Sequence, residues 1–390
     1  MRSVVVVGAS LAGLSSVRAL REAGFDGVIT VVGEEPHRPY DRPPLSKEFL
    51  RGDVARADLE LESDDDPPAD WLLGRRAVDL TVDGGGVGVE LDDGTRVVAD
   101  GAVLATGARA RTFPGRELAG VHVLRTLDDA ERLREVLVPG CRLAVIGGGF
   151  IGAEVASTAH QLGVEVTVIE AAPVPLAGAL GAEFAAVVAD VHASNGVTLI
   201  CGTGVDGLTG DDRVTGVALA DGRHIAADVV LVAIGARANV EWLLGGPVET
   251  GEGVLCDARG RTSVPHVVAV GDCASWFDPY LGRRRRVEHW TGALERPSLA
   301  VTTLLSGGGD DGPSPAPVKP PYFWSDQYDR KIQFAGHAEL ADEVTVDVGA
   351  VADLDFLAVY RRDGRPVAAL GVNQPRAFTR VRRQLAPPTF

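Results

Sequence analysis

Two stretches of the chain follow the same pattern of apolar strand, glycine-rich turn and small-residue helix. The first begins with VVVVGASLAGLSS at residue 4, and the second with RLAVIGGGFIGAEVA at residue 142. Strands that are apolar at every position are typical of a parallel sheet covered on both faces. Because such strands alternate with helices, the pattern predicts an α/β fold with doubly wound, Rossmann-like layers.

The sequence after each of these stretches is also repeated. VELDDGTRVVADGAVLATGARA and VALADGRHIAADVVLVAIGARAN each predict a hairpin that leads into a buried strand, which ends at Gly107 or Gly235. The chain therefore contains an internal duplication of two nucleotide-binding units.

The last part of the chain predicts a third, small domain. Residues 305–320, LSGGGDDGPSPAPVKP, are rich in Gly and Pro, as is typical of a linker. FLAVYRRDGRPVAALGV then predicts a hairpin that turns at Asp363 and Gly364, and RAFTRVRRQL predicts a terminal helix.

Composition excludes several classes of protein. The net charge of −16 argues against a nucleic-acid partner. No apolar run approaches the about 18 residues of a membrane span, and the chain begins with a strand instead of an export signal, so we expect a cytoplasmic protein. The four scattered cysteines form neither a local dithiol nor a metal-ligand spacing, so we predict no metal site and four small buried fillers (Cys141, Cys201, Cys256 and Cys273).

The first glycine-rich turn lacks the middle glycine of G-x-G-x-x-G, because Ser10 stands between Gly8 and Gly13. Unpaired N–H groups at a helix start bind pyrophosphate, and a serine hydroxyl can donate to a phosphate oxygen. An acid at the end of the next strand can bind a ribose diol. The alternative interpretation of this glycine-rich turn is that it is purely structural. The candidate cofactor-binding residues here are Gly8, Ser10, Leu11, Ala12, Gly13, Glu34 and Glu35.

The second turn has the complete motif, with Gly147, Gly149 and Gly152. Glu170 ends the following strand, where its carboxylate can accept from both hydroxyls of an adenosine ribose and would repel a 2′-phosphate. The sequence therefore predicts that NADH is preferred over NADPH. Ile151, at the start of the helix, is a further candidate of this site.

Residues 35–50, EPHRPYDRPPLSKEFL, predict a proline-stiffened loop that carries Arg42 and Lys47. The residues alone leave two interpretations open, a contact with a bound cofactor or a solvated basic loop.

Seven segments carry a family resemblance, in order along nearly the whole chain: VVVVGASLAG, GEEPHRPYDRPPLSKEFL, LATGARAR, VIGGGFIGAEVA, AVGDCA, EHWTGA and FWSDQYDRKIQFAG. Together they resemble the FAD-dependent ferredoxin reductases of bacterial oxygenase systems, the putidaredoxin-reductase and biphenyl-dioxygenase-reductase type of two-dinucleotide flavoprotein. Members of that family also carry Ser in the first turn, so Ser10 is a variant typical of the family. The resemblance implies an FAD domain (1–111 and 236–315) interrupted by an NAD domain (112–235), and a small α+β C-terminal interface domain (316–390).

The resemblance also implies roles for individual residues. Lys47 matches a lysine beside flavin N5, and Glu154 matches the glutamate that pairs with it, so these two are the expected catalytic residues. Asp272, after Gly271, matches an aspartate that binds the ribitol chain of FAD. Further cofactor-binding residues implied by the matching segments are Arg42, Ala105, Thr106, Gly107, Arg109, Phe150 over the nicotinamide pocket, Gly235, and Trp290 beside the flavin. After EHWTGA the chain departs from the family, with Arg296 and Pro297, and the proline is expected to set or kink that helix.

No cysteine precedes Cys141, so the disulfide pair of related reductases is missing and electrons must leave the chain. The resemblance implies an NADH-dependent reductase that passes them one at a time from FAD to a small acidic two-iron ferredoxin serving an oxygenase. Rubredoxin, quinone-like and radical acceptors stay open, as does a flavin-bearing binding protein that responds to NADH. The protein is expected to be a monomer or a homodimer.

The candidate docking surface for the acidic ferredoxin is a run of four arginines, Arg283, Arg284, Arg285 and Arg286. The terminal helix adds Arg380, Arg382 and Arg383. The alternative interpretation of the run is a solvated turn in a hairpin.

Overall fold

The structure, a computed structural model, describes residues 1–307 and 319–385 and divides the chain into two compact units. The first unit comprises Met1–Asp41, Glu60–Arg109 and Arg237–Pro321. The second comprises Arg42–Leu59, Ala110–Ala236 and Tyr322–Phe390. Residues 308–318 of the predicted linker lie outside the described residues.

The helices in the described residues are α1 (Leu11–Glu22), α2 (Glu48–Arg51), α3 (Leu127–Val136), α4 (Phe150–Gln161), α5 (Ala177–Leu180), α6 (Ala182–Ser194), α7 (Trp290–Leu305) and α8 (Pro375–Arg382).

The strands of the first half are β1 (Ser3–Val7), β2 (Val28–Gly33), β3 (Asp70–Leu73), β4 (Ala77–Asp83), β5 (Gly86–Leu91), β6 (Arg96–Ala99), β7 (Gly101–Leu104), β8 (Ala108–Ala110), β9 (Val121–His122), β10 (Arg142–Ile146), β11 (Glu165–Glu170) and β12 (Thr198–Cys201). Those of the second half are β13 (Val205–Thr209), β14 (Gly216–Leu219), β15 (His224–Ala226), β16 (Val229–Val232), β17 (Ala236–Ala238), β18 (Val254–Cys256), β19 (Val267–Ala269), β20 (Ala274–Asp278), β21 (Arg283–Arg286), β22 (Tyr322–Gln327), β23 (Arg330–Gly336), β24 (Glu343–Ala350), β25 (Asp355–Arg362) and β26 (Arg365–Val372).

A parallel sheet in the order β19-β7-β1-β2-β3 forms the centre of the first unit. Residues 4–7 of β1 are at most 2 % exposed, because the strand is covered on both faces. Two smaller sheets complete this unit, the antiparallel β4-β5-β6 and the mixed β18-β20-β21.

The second unit repeats this arrangement with a parallel sheet in the order β12-β11-β10-β16-β9 and the antiparallel sheet β13-β14-β15. It also contains the antiparallel sheet β22-β23-β26-β25-β24, which packs against α8. At the β25–β26 turn, Asp363 and Gly364 both have positive φ angles (50° and 74°), as this tight hairpin requires.

The predicted α/β fold class is confirmed, and so is the duplication. β1 and β10 are each the middle strand of a parallel sheet, and each is followed by a helix and a parallel neighbour. The predicted hairpins were incomplete, because β4 and β13 each add a third strand. The structure groups the C-terminal sheet with the second nucleotide-binding unit, and the predicted three-domain boundaries stay a prediction. In the described part of the chain, no helix is long and apolar enough to cross a membrane.

Candidate active site

Backbone contacts fix the first glycine-rich turn. Gly8 has a φ of +126°, and a Cβ on it would lie 2.0 Å from the carbonyl oxygen of Ala105, at the end of β7. A Cβ on Gly13 would lie 1.9 Å from the carbonyl oxygen of Gly8, so α1 can begin this close to β1 only with glycine at both positions.

Ser10 is the N-cap residue of α1, with an extended backbone. The buried residues Leu11 and Ala12 follow it, and residues 11–14 carry no acidic side chain. Gly271, with a φ of +69°, lies against the start of α1, since a Cβ there would be 2.9 Å from the Cβ of Ala12. Asp272, which follows it, is therefore brought to the same helix terminus as the first turn.

The carboxyl edge of this sheet also holds an ion pair. Arg109 donates to both carboxylate oxygens of Glu241, at 2.5 and 2.8 Å, and to Asn239 Oδ1 at 3.0 Å. The hydrogen bonds from Arg109 lower the pKa of Glu241 to about 2. The hydrogen bond to Glu241 in turn raises the pKa of Arg109, and the exposed Glu34 adds a smaller electrostatic attraction in the same direction. The sequence indicated Arg109 and Glu34, but not Glu241.

Other candidates of the first unit also have partners there. Thr106 Oγ1 donates to the carbonyl oxygen of Asn239 at 2.7 Å, and Gly107 has a positive φ of 66°. Tyr40 donates to Glu35 at 2.5 Å. Trp290, the first residue of α7, donates from Nε1 to Asp41 at 2.8 Å.

The second glycine-rich turn repeats the constraints of the first. A Cβ on Gly147 would lie 2.4 Å from the carbonyl oxygen of Ala233, and one on Gly152 would lie 2.2 Å from that of Gly147. At Gly149, the N-cap residue of α4, an added Cβ would meet no described atom within 4 Å. The outer glycines are therefore needed for folding, whereas the middle position faces open space.

A cavity of about 400 Å³ adjoins this turn. Its lining includes four of the predicted residues (Gly147, Gly149, Glu170 and Gly235) and also Thr203 and Ala233. Glu170 accepts from the N–H of Gly148 at 2.8 Å and from that of Ala172 at 2.8 Å, one bond to each carboxylate oxygen. The carboxylate is thus held at the end of β11, on the wall of the cavity.

Both turns fit a dinucleotide. Each offers a helix N-terminus, and residues 150–153 of α4, like 11–14 of α1, carry no acid that would repel a pyrophosphate. The second turn adds a carboxylate for ribose hydroxyls at the cavity wall.

Two further candidates at the start of α4 have different environments. Phe150 packs on Phe323, with ring centroids 4.5 Å apart, whereas the side chain of Ile151 is exposed.

The two expected catalytic residues form a buried ion pair. Lys47 Nζ lies 2.7 Å from Glu154 Oε2, and the residues are 7 % and 5 % exposed. Lys47 follows a 3₁₀ helix over Pro43–Ser46 and precedes α2, so the second half of the predicted loop contains two short helices. The interpretation as a solvated loop is wrong for Lys47. Arg42 also has a protein partner, the carbonyl oxygen of Arg125 at 2.6 Å.

Two serines that the sequence analysis did not single out bind the same carboxylate. Ser46 donates to Glu154 Oε2 at 2.5 Å, and Ser325 donates to Oε1 at 2.7 Å. Ser325 lies on β22 and is fully buried. Two features of the sequence could have drawn attention to these serines, the position of Ser46 beside Lys47 and that of Ser325 in the segment FWSDQ. Neither feature predicts that the serine binds Glu154.

The arginine run forms strand β21, antiparallel to β20. Arg283 and Arg284 are exposed, whereas Arg286 is half-buried, donates to the carbonyl oxygen of Asp272 at 3.2 Å and pairs with Glu288. Arg284, although exposed, also donates from Nε to the carbonyl oxygen of Cys256 at 3.1 Å, so its side chain is held against the fold as well. Docking on the arginine run stays a prediction.

The departure from the family falls inside α7, which continues through Pro297. Arg296 lies over the buried Trp276 ring, 4.9 Å from its centroid, and burial lowers the pKa of this guanidinium. The proline is thus accommodated within the helix.

Comparison with known proteins agrees with this arrangement. Residues 2–296 match the pyridine nucleotide-disulphide oxidoreductase family, and residues 322–388 match the reductase C-terminal family. The chain is 38% identical to the ferredoxin reductase component of chlorobenzene dioxygenase from Cupriavidus sp. (strain PS12), over 97% of this chain and 91% of the relative. It is 36% identical to the biphenyl dioxygenase system ferredoxin–NAD(+) reductase component of Paraburkholderia xenovorans (strain LB400), with the same coverage of both chains. The fold is similar to that of a chain in the crystal structure of the covalent putidaredoxin reductase–putidaredoxin complex. The TM-score is 0.91 and the identity 33%, over 98% of this chain and 93% of that one.

Proposed function

This chain belongs to the pyridine nucleotide-disulphide oxidoreductase family, and we propose that it passes electrons from NADH through FAD, one at a time, to a ferredoxin that serves an oxygenase. It is an oxidoreductase that uses FAD and NADH. The observation that carries the proposal is the pair of equivalent glycine-rich turns in a chain whose four cysteines are all free.

The state of the four cysteines indicates that the electrons pass to an acceptor outside the chain. Cys256 and Cys273 are buried, and burial raises the pKa of both thiols, which makes them poor nucleophiles. Cys141 and Cys201 are half-buried, so the prediction of a small buried filler was wrong for these two. Bound FAD supplies an acceptor for a hydride that can release its two electrons singly. A ferredoxin is an acceptor that takes them one at a time.

The first turn would hold the pyrophosphate of FAD on the N–H groups of residues 10–13. Glu34 would bind its ribose, and Asp272 would bind the ribitol chain. The second turn would hold the pyrophosphate of NADH, with the carboxylate of Glu170 on the adenosine ribose. Each assignment uses a helix N-terminus for an anion and a carboxylate for hydroxyl groups, as this chemistry requires.

Lys47 and Glu154 would act at the reacting end of the bound FAD. Their burial supports this role, because an ion pair excluded from water exerts a stronger field on nearby atoms than a solvated one. Glu154 holds the lysine ammonium in place, and neither residue has to form a covalent bond.

The acceptor we propose is a small acidic two-iron ferredoxin that docks on Arg283 and Arg284. Both side chains are exposed, and two residues further along the strand Arg286 donates to the backbone of Asp272. Opposite charges would steer the encounter, since the rest of the chain is acidic. The four free thiols suit a reducing compartment, so we place the protein in the cytoplasm.

Turnover with a defined acceptor tests the proposal. We expect the purified protein to hold one FAD per chain and to reduce cytochrome c with NADH only when a two-iron ferredoxin is added. Ferricyanide, a small acceptor that needs no docking, serves as the control for hydride uptake. Reduction of the FAD by NADH without turnover of any ferredoxin would favour the NADH-responsive binding protein instead.

A further inference from the structure

A continuous chain of buried hydrogen bonds runs through the second unit from β22 to Lys47. Gln327 Nε2 donates to Ser325 Oγ at 3.2 Å, and Ser325 donates to Glu154 Oε1 at 2.7 Å. Glu154 Oε2 accepts from Ser46 and from Lys47. All five residues are at most 7 % exposed, so the network is shielded from bulk solvent.

Counting protons gives every bond in this chain a direction. A serine hydroxyl has one proton, and Ser325 gives its proton to Glu154 because Gln327 already donates to its oxygen. Ser46 likewise accepts from Lys47 Nζ at 3.3 Å and gives its proton to Glu154. The other two ammonium protons of Lys47 go to Glu154 at 2.7 Å and to the carbonyl oxygen of Pro43 at 2.8 Å.

The amide of Gln327 supplies the donor at the end of the chain. Its Nε2 donates to Ser325 Oγ at 3.2 Å, and the one proton of that hydroxyl goes to the carboxylate of Glu154, which can only accept. A hydroxyl that accepts on one side and donates on the other is held in one orientation.

We infer that Ser325 and Gln327 are positioning residues for the Lys47–Glu154 pair, which makes β22 of the C-terminal sheet part of the active site. By holding Oε1, Ser325 keeps Oε2 directed at Lys47, and this fixes where the ammonium lies. The inference rests on the proposed function, because it assigns the pair to the reaction of NADH with bound FAD.

The first test compares two buried serines on the FAD-loaded enzyme. We expect Ser325→Ala to slow the rapid reduction of FAD by NADH about tenfold, the cost of one hydrogen bond to a charged group, with little change in the Kd for NADH. Ser157→Ala is the matched control. Ser157 is also buried, but its hydroxyl accepts from the N–H of Tyr328 at 2.6 Å instead of binding Glu154.

A second variant tests the direction of the bonds. Gln327→Leu keeps the bulk of the side chain but removes the N–H from which Ser325 accepts, so the hydroxyl loses the donor that orients it. We expect a loss of rate no larger than that of Ser325→Ala, again with the Kd for NADH kept. Parent-like rates in both variants would overturn the inference.

A third measurement needs no bound cofactor. In the apoprotein, a double-mutant cycle in equilibrium unfolding should show coupling between Ser325→Ala and Glu154→Gln, and additivity between Ser157→Ala and Glu154→Gln. Additivity in both cycles would overturn the network.

The two proposals can fail separately. If NADH reduces the parent normally and Ser325→Ala behaves like Ser157→Ala, only the positioning inference fails. If NADH does not reduce the parent, the proposed function itself fails.

Discussion

Ser10 and Gly149 occupy the middle of two turns whose outer glycines are required by backbone contacts. A Cβ at the outer positions would lie within 2.4 Å of a carbonyl oxygen, whereas at Gly149 it would meet no described atom within 4 Å. Since the turns are equivalent, the middle position can carry a small side chain without disturbing the fold. This explains how Ser10 can replace the usual glycine.

The glycines of the second turn should therefore differ in their effect on stability. Gly147→Ala should lower the free energy of unfolding by at least about 2 kcal/mol, because the methyl group meets the carbonyl of Ala233 at a positive φ. Gly149→Ala should change it by less than about 1 kcal/mol. Equilibrium unfolding in denaturant measures the free energy of unfolding of both variants. Equal decreases would contradict the conclusion that Gly147 is needed for folding whereas Gly149 faces open space.

Glu170 should decide between NADH and NADPH. Glu170→Gln keeps the shape of the side chain but removes the charge that repels a 2′-phosphate. The ratio of the NADH and NADPH reduction rates should then fall by about tenfold or more, as expected for a hydrogen-bonded charge. Stopped-flow reduction with both nucleotides measures this ratio. Glu165→Gln, at the exposed opposite end of β11, is the control, and an equal effect of the two changes would argue against the role of Glu170.

At the scale of elements, α6 is joined to the β22–β23 turn by one buried polar contact. His192 Nδ1 lies 2.8 Å from the hydroxyl of Tyr328, and His192 is only 2 % exposed. Burial lowers the pKa of His192 to about 4, so the folded protein holds it neutral. This connection therefore depends on pH.

The sign follows from the two protonation states. In the unfolded chain His192 takes up a proton below about pH 6.5, whereas in the folded chain it does so only near pH 4, so acid favours unfolding in this window. The free energy of unfolding of the parent should fall more steeply from pH 6.5 to 4 than that of His192→Gln, which does not titrate. His289, whose pKa burial also lowers to about 4, contributes equally to both proteins. Parallel pH profiles from denaturant unfolding would contradict the assignment.

At the scale of the whole molecule, an acidic chain displays one strand made entirely of arginines. The net charge is −16, yet β21 presents Arg283 and Arg284 to solvent. The net negative charge of the chain would repel an acidic partner, whereas the exposed arginines of this strand would attract it. Charge would thus favour the docking that we propose at this strand.

Replacing Arg283 and Arg284 with Ala should raise the KM for ferredoxin several-fold at low salt and flatten its dependence on ionic strength. Exposed charges are screened over about 8 Å at physiological ionic strength, so added salt should remove the advantage of the parent. NADH–ferricyanide activity should stay at the parent level. Arg223→Ala removes an exposed arginine from the β14–β15 turn and is the control. If both activities fall together, the strand supports the fold and docking has to be sought on the terminal helix.

The sequence by itself determined the parts of the protein that depend on neighbouring residues. Apolar runs predicted β1 and β10, glycine spacing predicted the two turns, and Asp363 with Gly364 predicted a hairpin, because each pattern acts within a few residues. The family resemblance added the correspondence of Lys47 and Glu154.

Only the tertiary structure decided which distant side chains meet. Lys47 and Glu154 are 107 residues apart, and Glu154 and Ser325 are 171 apart. No local pattern therefore predicts that Lys47 and Ser325 bind the carboxylate of Glu154. The partner of Arg109 is Glu241, which lies beyond the whole inserted segment of the second unit. Such contacts are set by how strands and helices pack, and packing depends on the shape of the entire core instead of on any stretch of the chain.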